Sequence, residues 1–206
     1  MLRVYHLAKP LTVARFAGLR LCIPRGVFDP RISISTSLVI DFLTRISHRL
    51  TKGLALDMGC GTGAIGIFMA KYLGFREVHF FDVDPRALAV TRINIDLNGV
   101  SDRAKVLREL NDDVRYDIVV TNPPYLPLRP RDPLDYCWCG GSDLEIFKLM
   151  IARGVRLLRR GGFLVTTFST LSRCAYSYLS TICRKLVIGG SRRTPFDAIY
   201  VAICVP

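Results

Sequence analysis

The chain has 206 residues, half of them hydrophobic, with a mean hydropathy of +0.29 and 29 Lys plus Arg against 17 Asp plus Glu, a formal net charge of +12. That length fits one domain with a substantial core. The longest apolar runs, such as Leu38 to Leu43 and Ile199 to Val205, fall far below the ~20 residues of a membrane span, and no signal-peptide order opens the chain, so a cytoplasmic protein with no membrane contact is expected. The excess of positive charge favours a polyanionic partner, RNA, DNA or a ribonucleoprotein, with a merely soluble basic surface as the plain alternative.

In chain order, Met1 to Arg25 is basic and apolar without clear periodicity, apart from a short strand expected over Leu19 to Ile23 that turns at Pro24. Ser35-Thr36-Ser37 then offers N-cap chemistry for an apolar-periodic helix through roughly Leu50. From Gly53 the pattern alternates. Leu54-Ala55-Leu56 reads as a buried strand, Ala64 to Tyr72 as a helix, Glu77 to Val83 as a strand, and Pro85 to about Leu97 as a helix with proline at its first position. Ala104 to Leu107 and Tyr116 to Thr121 are further strands. Leu144 to Leu158 is a helix closed by Arg159-Arg160-Gly161-Gly162, followed by a strand over Phe163 to Phe168 and a helix over Ser172 to Cys183. Lys185 to Ile188 and Ala198 to Val205 make a terminal strand pair.

Strands alternating with helices imply a parallel sheet covered on both faces. Only the turn Gly189 to Asp197 separates the last two strands, too little for a crossover helix, so they must be antiparallel. The expected fold is α/β: a doubly wound, mostly parallel seven-stranded sheet with an antiparallel C-terminal strand. This is the Rossmann-like architecture of class I methyltransferases. One domain over 1–206 is expected, with 1–35 as an N-terminal extension and substrate- or cofactor-side segment, and 36–206 as the core.

Seven cysteines are many for a cytosolic domain. Cys137 and Cys139 flank Trp138, but no second close cysteine pair or histidine cluster completes a zinc site, so no metal is expected. His6, His48 and His79 are dispersed and none is assigned to catalysis. The chain contains no glutamine and four asparagines, which is consistent with a heat-adapted archaeal source, where structural disulfides are common.

Leu56-Asp57-Met58-Gly59-Cys60-Gly61-Thr62-Gly63 follows the first strand of the alternating part and opens a helix. Glycines there permit a tight turn and let a ligand approach backbone N–H groups at a helix N-terminus. Gly61-Thr62-Gly63-Ala64-Ile65-Gly66 also matches the dinucleotide fingerprint G-x-G-x-x-G. Against NAD stands Asp57, which would repel a pyrophosphate but suits the cationic methionine end of S-adenosylmethionine. The D-x-G-x-G-x-G form starting at Gly59 is that of methyltransferases. Candidate cofactor-binding residues are therefore Asp57, Gly59, Cys60, Gly61 and Gly63, with Asp82 for the ribose hydroxyls and Val83 beside it. Asp84 is the alternative acid, and helix capping is its other reading. Packing is the other reading of Cys60.

Tyr116 to Thr121 ends in Asn122-Pro123-Pro124-Tyr125, at the carboxyl end of a parallel strand and hence beside the ligand crevice. A planar NH2 nitrogen has a delocalised lone pair and is a poor nucleophile. If the Asn122 side-chain oxygen and the Pro123 carbonyl each accept one N–H, that nitrogen faces the methyl donor. Proline stiffens the turn, and Tyr125 can stack on the flat acceptor. Asn122, Pro123 and Tyr125 are the catalytic candidates; Pro124 and Phe28 join them for substrate binding, and Asn122 also borders the cofactor. Positioning and electrostatics would carry the rate, with no general base needed.

Together with these motifs, Val27-Phe28-Asp29-Pro30 and Trp138-Cys139-Gly140-Gly141 resemble the HemK family of release-factor glutamine methyltransferases, in particular its short archaeal and eukaryotic branch. The resemblance runs from about Gly26 to the C-terminus. It implies methylation of the glutamine N5 in the Gly-Gly-Gln motif of a class I peptide chain release factor, with S-adenosylmethionine as cofactor and a small zinc-binding activator subunit as partner. Two departures stand out. Arg31-Ile32-Ser33-Ile34-Ser35-Thr36 replaces the family's acidic pair and threonine, leaving Thr36 to supply a hydroxyl near the cofactor. Glu109 stands where the family usually has an aspartate, with an adenine contact and an ordinary surface glutamate as its two readings. The first stretch is also similar to guanine methyltransferases of ribosomal RNA, so a nucleobase amine is the alternative acceptor, with the basic Arg129-Pro130-Arg131 loop as a place for RNA.

Overall fold

The structure, a computed structural model, describes residues 2–206. Its first element is a helix, α1 (Leu2–Ala8), followed by the antiparallel hairpin β1 (Thr12–Phe16) and β2 (Leu19–Ile23). Only β2 was legible in the sequence. The β1 strand carries weak alternation, and the hairpin depends on a turn in which both Ala17 (φ 48°) and Gly18 (φ 78°) are left-handed, the twist that matches two antiparallel strands. Helix α1 is too short to stand on propensity and is held by tertiary bonds. The Asp29 backbone N–H donates to His6 Nε2 at 3.0 Å, and Lys9 Nζ donates to the Val27 carbonyl at 2.9 Å.

The core is a seven-stranded sheet. In chain order its elements are α2 (Ile34–Ile46), β3 (Leu54–Met58), α3 (Ala64–Tyr72), β4 (Glu77–Phe81), α4 (Pro85–Asn98), β5 (Ala104–Val106), β6 (Tyr116–Thr121), α5 (Glu145–Arg156), β7 (Leu158–Ser169), α6 (Ala175–Ile182), β8 (Lys185–Arg193) and β9 (Ala198–Val205). The strand order is β5-β4-β3-β6-β7-β9-β8, and β9 alone runs against its neighbours. The expected fold is what the chain adopts. The chain winds outward from β3 through β4 to β5, then returns to lay β6 and β7 on the other side of β3. The carboxyl ends of β3 and β6 therefore form the switch point at which such sheets bind ligands.

Local chemistry sets the helix bounds. Ser33 caps α2 by accepting from the Thr36 N–H. Asp84 caps α4 ahead of Pro85, and Gly99 (φ 66°) closes it. One core, with Leu43, Ile67, Phe75 and Phe80 fully or nearly fully buried, lies under α2, α3 and the hairpin. A second, around Phe147, Ile151, Leu164 and Leu179, lies under α5 and α6. Asn94 and Asn98, one helical turn apart on α4, serve β2 as a substitute strand. Asn94 accepts from Cys22 N and donates to Cys22 O, and Asn98 does the same for Arg20.

Several boundaries differ from the sequence reading: α2 stops at Ile46, β4 at Phe81 and α5 at Arg156, α6 begins at Ala175, and two strands are longer than expected. Strand β7 starts at Leu158, so the Arg159-Arg160-Gly161-Gly162 run belongs to the strand, irregular at the left-handed Gly161 (φ 78°), rather than to a helix stop. Strand β8 continues past Ile188 to Arg193 through a bulge at Gly189, where a Cβ would lie 2.2 Å from the Phe42 ring. Cys183, at the end of α6, is disulfide-bonded to Cys204 in β9. Closing a loop of this size contributes about 3 kcal/mol in the chain-entropy account. No helix among the described residues is long and apolar enough to cross a membrane.

Candidate active site

Three strand ends converge. After β3, Gly59 (φ 76°), Gly61 (φ 57°) and Gly63 (φ 77°) all take left-handed backbone. The Gly59 and Cys60 N–H groups donate to the Phe81 carbonyl, tying the loop to the end of β4. The Gly61 N–H donates to Asp82 Oδ2 at 2.9 Å, and the Gly61 carbonyl accepts from Thr91 Oγ1. A Cβ at Gly61 would meet nothing within 4 Å, so the loop is open on its outer side. Cys60 is buried, its thiol near Thr91 and pushed up by burial and by the neighbouring carboxylates, in keeping with packing.

Asp57 is buried, with Oδ2 accepting from the Gly66 N–H of α3 at 2.8 Å. Burial pushes its carboxyl up to about 7, against the Gly66 bond and with help from Asp82. Asp82, itself raised by burial, sits half-buried at the head of β4. Val83, next to it, is 79% exposed, and Glu109 is exposed just beyond the end of β5. Asp84 accepts from the Arg86 N–H as the α4 cap and pairs with the Arg86 guanidinium.

The Asp57 shift has a testable consequence. The folded value lies above the unfolded one of about 4, so its contribution is present below pH 4 and is lost as pH rises through about 7. Ligand-free protein should therefore lose up to about 1.4 kcal/mol per pH unit across that window through this group. Asp57→Asn should flatten the slope in melting curves taken from pH 5 to 8.

At the head of β6 the Asn122 side chain is held at both ends. Its Nδ2 donates to Thr36 Oγ1 at 3.2 Å, and its Oδ1 accepts from Thr167 Oγ1 of β7 at 2.6 Å. Pro123 and Pro124 are buried, and Tyr125 is half-buried with its carbonyl accepting from Ser172 Oγ. The acceptor loop closes on itself: Leu126 N donates to Trp138 O at 2.8 Å, and Gly140 N to Leu126 O at 2.8 Å. A Cβ at Gly140 would lie 2.5 Å from the Pro124 carbonyl, so glycine is required where the loop returns past the acceptor turn. Trp138 packs against His6, and His6 stacks on Phe28 at 5.5 Å. Asp29, next to Phe28, is fully buried. Burial opposes its charge, but Arg31, Tyr5 and Lys9 outweigh that and hold it down to about 2.

The strand ends thus bring Thr36 against Asn122, Asp82 against the glycine loop, and Phe28 through His6 to Trp138 of the acceptor loop; among the described residues no hydrogen bond or ion pair joins the side chains of Val83 or Glu109 to them. Sequence reasoning missed Thr167, Ser33 and Ser35. Nothing in a strand hydroxyl or a helix-start serine signals contact with a residue 45 positions away.

A family model described as methyltransferase small domain matches residues 18–177. The release factor glutamine methyltransferase of Geobacter sulfurreducens is 30% identical over 171 residues, 75% of this chain and 57% of that protein. The ribosomal protein uL3 glutamine methyltransferase of Francisella tularensis is 28% identical over 176 residues, 77% of this chain and 56% of that one. The chain thus spans little more than half the length of these relatives. The Thermus thermophilus 16S rRNA N2 G1207 methyltransferase, solved with AdoMet and guanosine, superposes with a TM-score of 0.70 at 18% identity over 95% of this chain and 50% of that one, a likeness of fold.

Proposed function

Since the chain belongs to the methyltransferase small domain family, we propose that it transfers a methyl group from S-adenosylmethionine to the side-chain amide of a glutamine, namely the Gly-Gly-Gln glutamine of a class I peptide chain release factor. The observation that carries this reading is the Asn122 amide, clamped at the head of β6 beside the open glycine loop. A planar NH2 needs aiming rather than deprotonation, and a fixed amide oxygen next to the Pro123 carbonyl supplies two acceptors for its two N–H groups.

The strand ends support this reading of the cofactor. All three glycines of the loop take left-handed backbone before a helix N-terminus and Gly61 is open on its outer side; in this reading Asp82 takes the vicinal hydroxyls and Val83 and Glu109 the adenine. Asp57 favours the cationic end. When bound, the cofactor supplies an activated methyl group. Asn122 and Pro123 orient the acceptor, Tyr125 covers its flat face, and the two prolines hold the turn rigid. The relatives named for glutamine methylation favour a protein acceptor. The formal charge of +12, with Arg129 and Arg131 exposed on the acceptor loop, favours the second reading, a nucleobase amine.

A transfer assay with tritiated cofactor separates the two. It offers a recombinant class I release factor and, separately, total RNA, each with and without the zinc-binding activator. Label on the release factor that vanishes when its Gly-Gly-Gln glutamine is replaced supports the proposal. Nuclease-sensitive label on RNA with a blank release factor rejects it.

A further inference from the structure

The two hydrogen bonds that clamp Asn122 belong to a longer chain of buried hydroxyls. Thr36 Oγ1, which accepts from Asn122 Nδ2, donates its own proton to Ser33 Oγ at 2.9 Å. Ser33 Oγ also accepts from the Thr36 N–H at 3.1 Å and lies 2.9 Å from Ser35 Oγ. With two donors already pointing at it, the Ser33 hydroxyl gives its proton to Ser35. At the other end stands Thr167, fully buried in β7. Ser33, Ser35 and Thr36 are each 8% exposed or less.

The arrangement removes an ambiguity built into asparagine. Rotating the amide by half a turn exchanges oxygen for NH2 at little steric cost, yet only the oxygen can accept an acceptor N–H. Here the Thr36 hydroxyl has given its proton to Ser33 and faces Nδ2 as an acceptor, so a flipped amide would set its oxygen against that lone pair and lose the bond in a part-buried site. Oδ1 has two lone pairs; Thr167 occupies one and the other stays open. The clamp joins three elements: hydroxyls from the start of α2 and from near the carboxyl end of β7 meet the Asn122 amide just beyond β6. The α2 members lie in Arg31-Ile32-Ser33-Ile34-Ser35-Thr36, the stretch with no acidic pair.

We propose that Thr36 and Thr167 are positioning residues that set the orientation of the Asn122 amide, and that Ser33, itself bonded to Ser35, fixes the Thr36 hydroxyl from behind. The kinetic arm of the test rests on the methyl-transfer reading; the spectroscopic arm does not.

The composition makes the spectroscopic arm direct. With no glutamine and only four asparagines, the 15N-labelled protein has four side-chain NH2 pairs. Asn122→Ala deletes one and thereby assigns it. In Thr36→Val and Thr167→Val, the Asn122 pair should shift and exchange with solvent at least about tenfold faster, as expected when a buried hydrogen bond is lost. The pairs of Asn94, Asn98 and Asn111 should stay in place, and Thr36→Ser and Thr167→Ser should restore the native signal. In transfer assays Thr167→Val should lower kcat about tenfold or more with acceptor KM and cofactor affinity within about threefold, the signature of misorientation. An Asn122 pair that ignores both valine variants overturns the proposal, as does movement of all four pairs together. A responsive pair alongside a blank release factor keeps the clamp and rejects the substrate.

Discussion

Asn122→Ala should lower turnover at least about a hundredfold at saturating cofactor while leaving cofactor affinity near that of the parent. The hydrogen bonds of the side chain run to Thr36 and Thr167 and not to the glycine loop. Its loss therefore removes the fixed oxygen that orients the acceptor nitrogen and leaves the backbone cradle of Gly59, Gly61 and Gly63 in place. The delocalised lone pair has little tolerance for misalignment, which is why a positional loss becomes a large loss in rate. Cofactor affinity by calorimetry and single-turnover rates with the unmethylated acceptor check the two halves separately. Equal losses in binding and rate with an intact melting curve would show that Asn122 serves the cofactor instead.

Asp82→Ala should do the reverse, weakening cofactor binding by at least about tenfold with turnover at saturation changed much less, because hydrogen bonds to a carboxylate are worth about 1.5–3 kcal/mol each. Asp82 also holds the Gly61 N–H through Oδ2, so part of the loss comes from a loosened loop. Asp82→Asn keeps an acceptor for that N–H and separates the two contributions. Asp84→Ala is the control. Its carboxylate is engaged by Arg86 and the start of α4, so replacing it should cost about 1 kcal/mol of stability and leave cofactor affinity alone. Cofactor titrations of the three variants decide between Asp82 and Asp84.

The parallel core was legible because its signals are local. Strand-length apolar runs alternate with helical ones, Pro85 and Gly99 bracket α4, and the short connection before Ala198 leaves only an antiparallel pairing. The glycine loop and the acceptor turn were legible for the same reason: each needs special backbone from residues adjacent in the chain. The N-terminal part was not. Helix α1 and strand β1 lack periodicity of their own and exist because Asn94 and Asn98 pair with β2 and because the Asp29 and Val27 backbones bond to His6 and Lys9. The disulfide between Cys183 and Cys204 was equally hidden, since seven cysteines give no pairing until two strands meet.

The sequence by itself determined the fold class, the glycine cradle with Asp82 after it, and an Asn-Pro-Pro-Tyr turn suited to a planar nitrogen. Only the tertiary structure decided how that turn is aimed. Thr36 belongs by sequence to a helix start, and Thr167 to an ordinary strand; neither carries a mark of its role. They become partners of Asn122 because α2 packs over the sheet at the point where β6 and β7 end side by side. Backbone conformation is written in neighbouring residues. The orientation of a side-chain amide is set by groups that only folding brings within 3.2 Å.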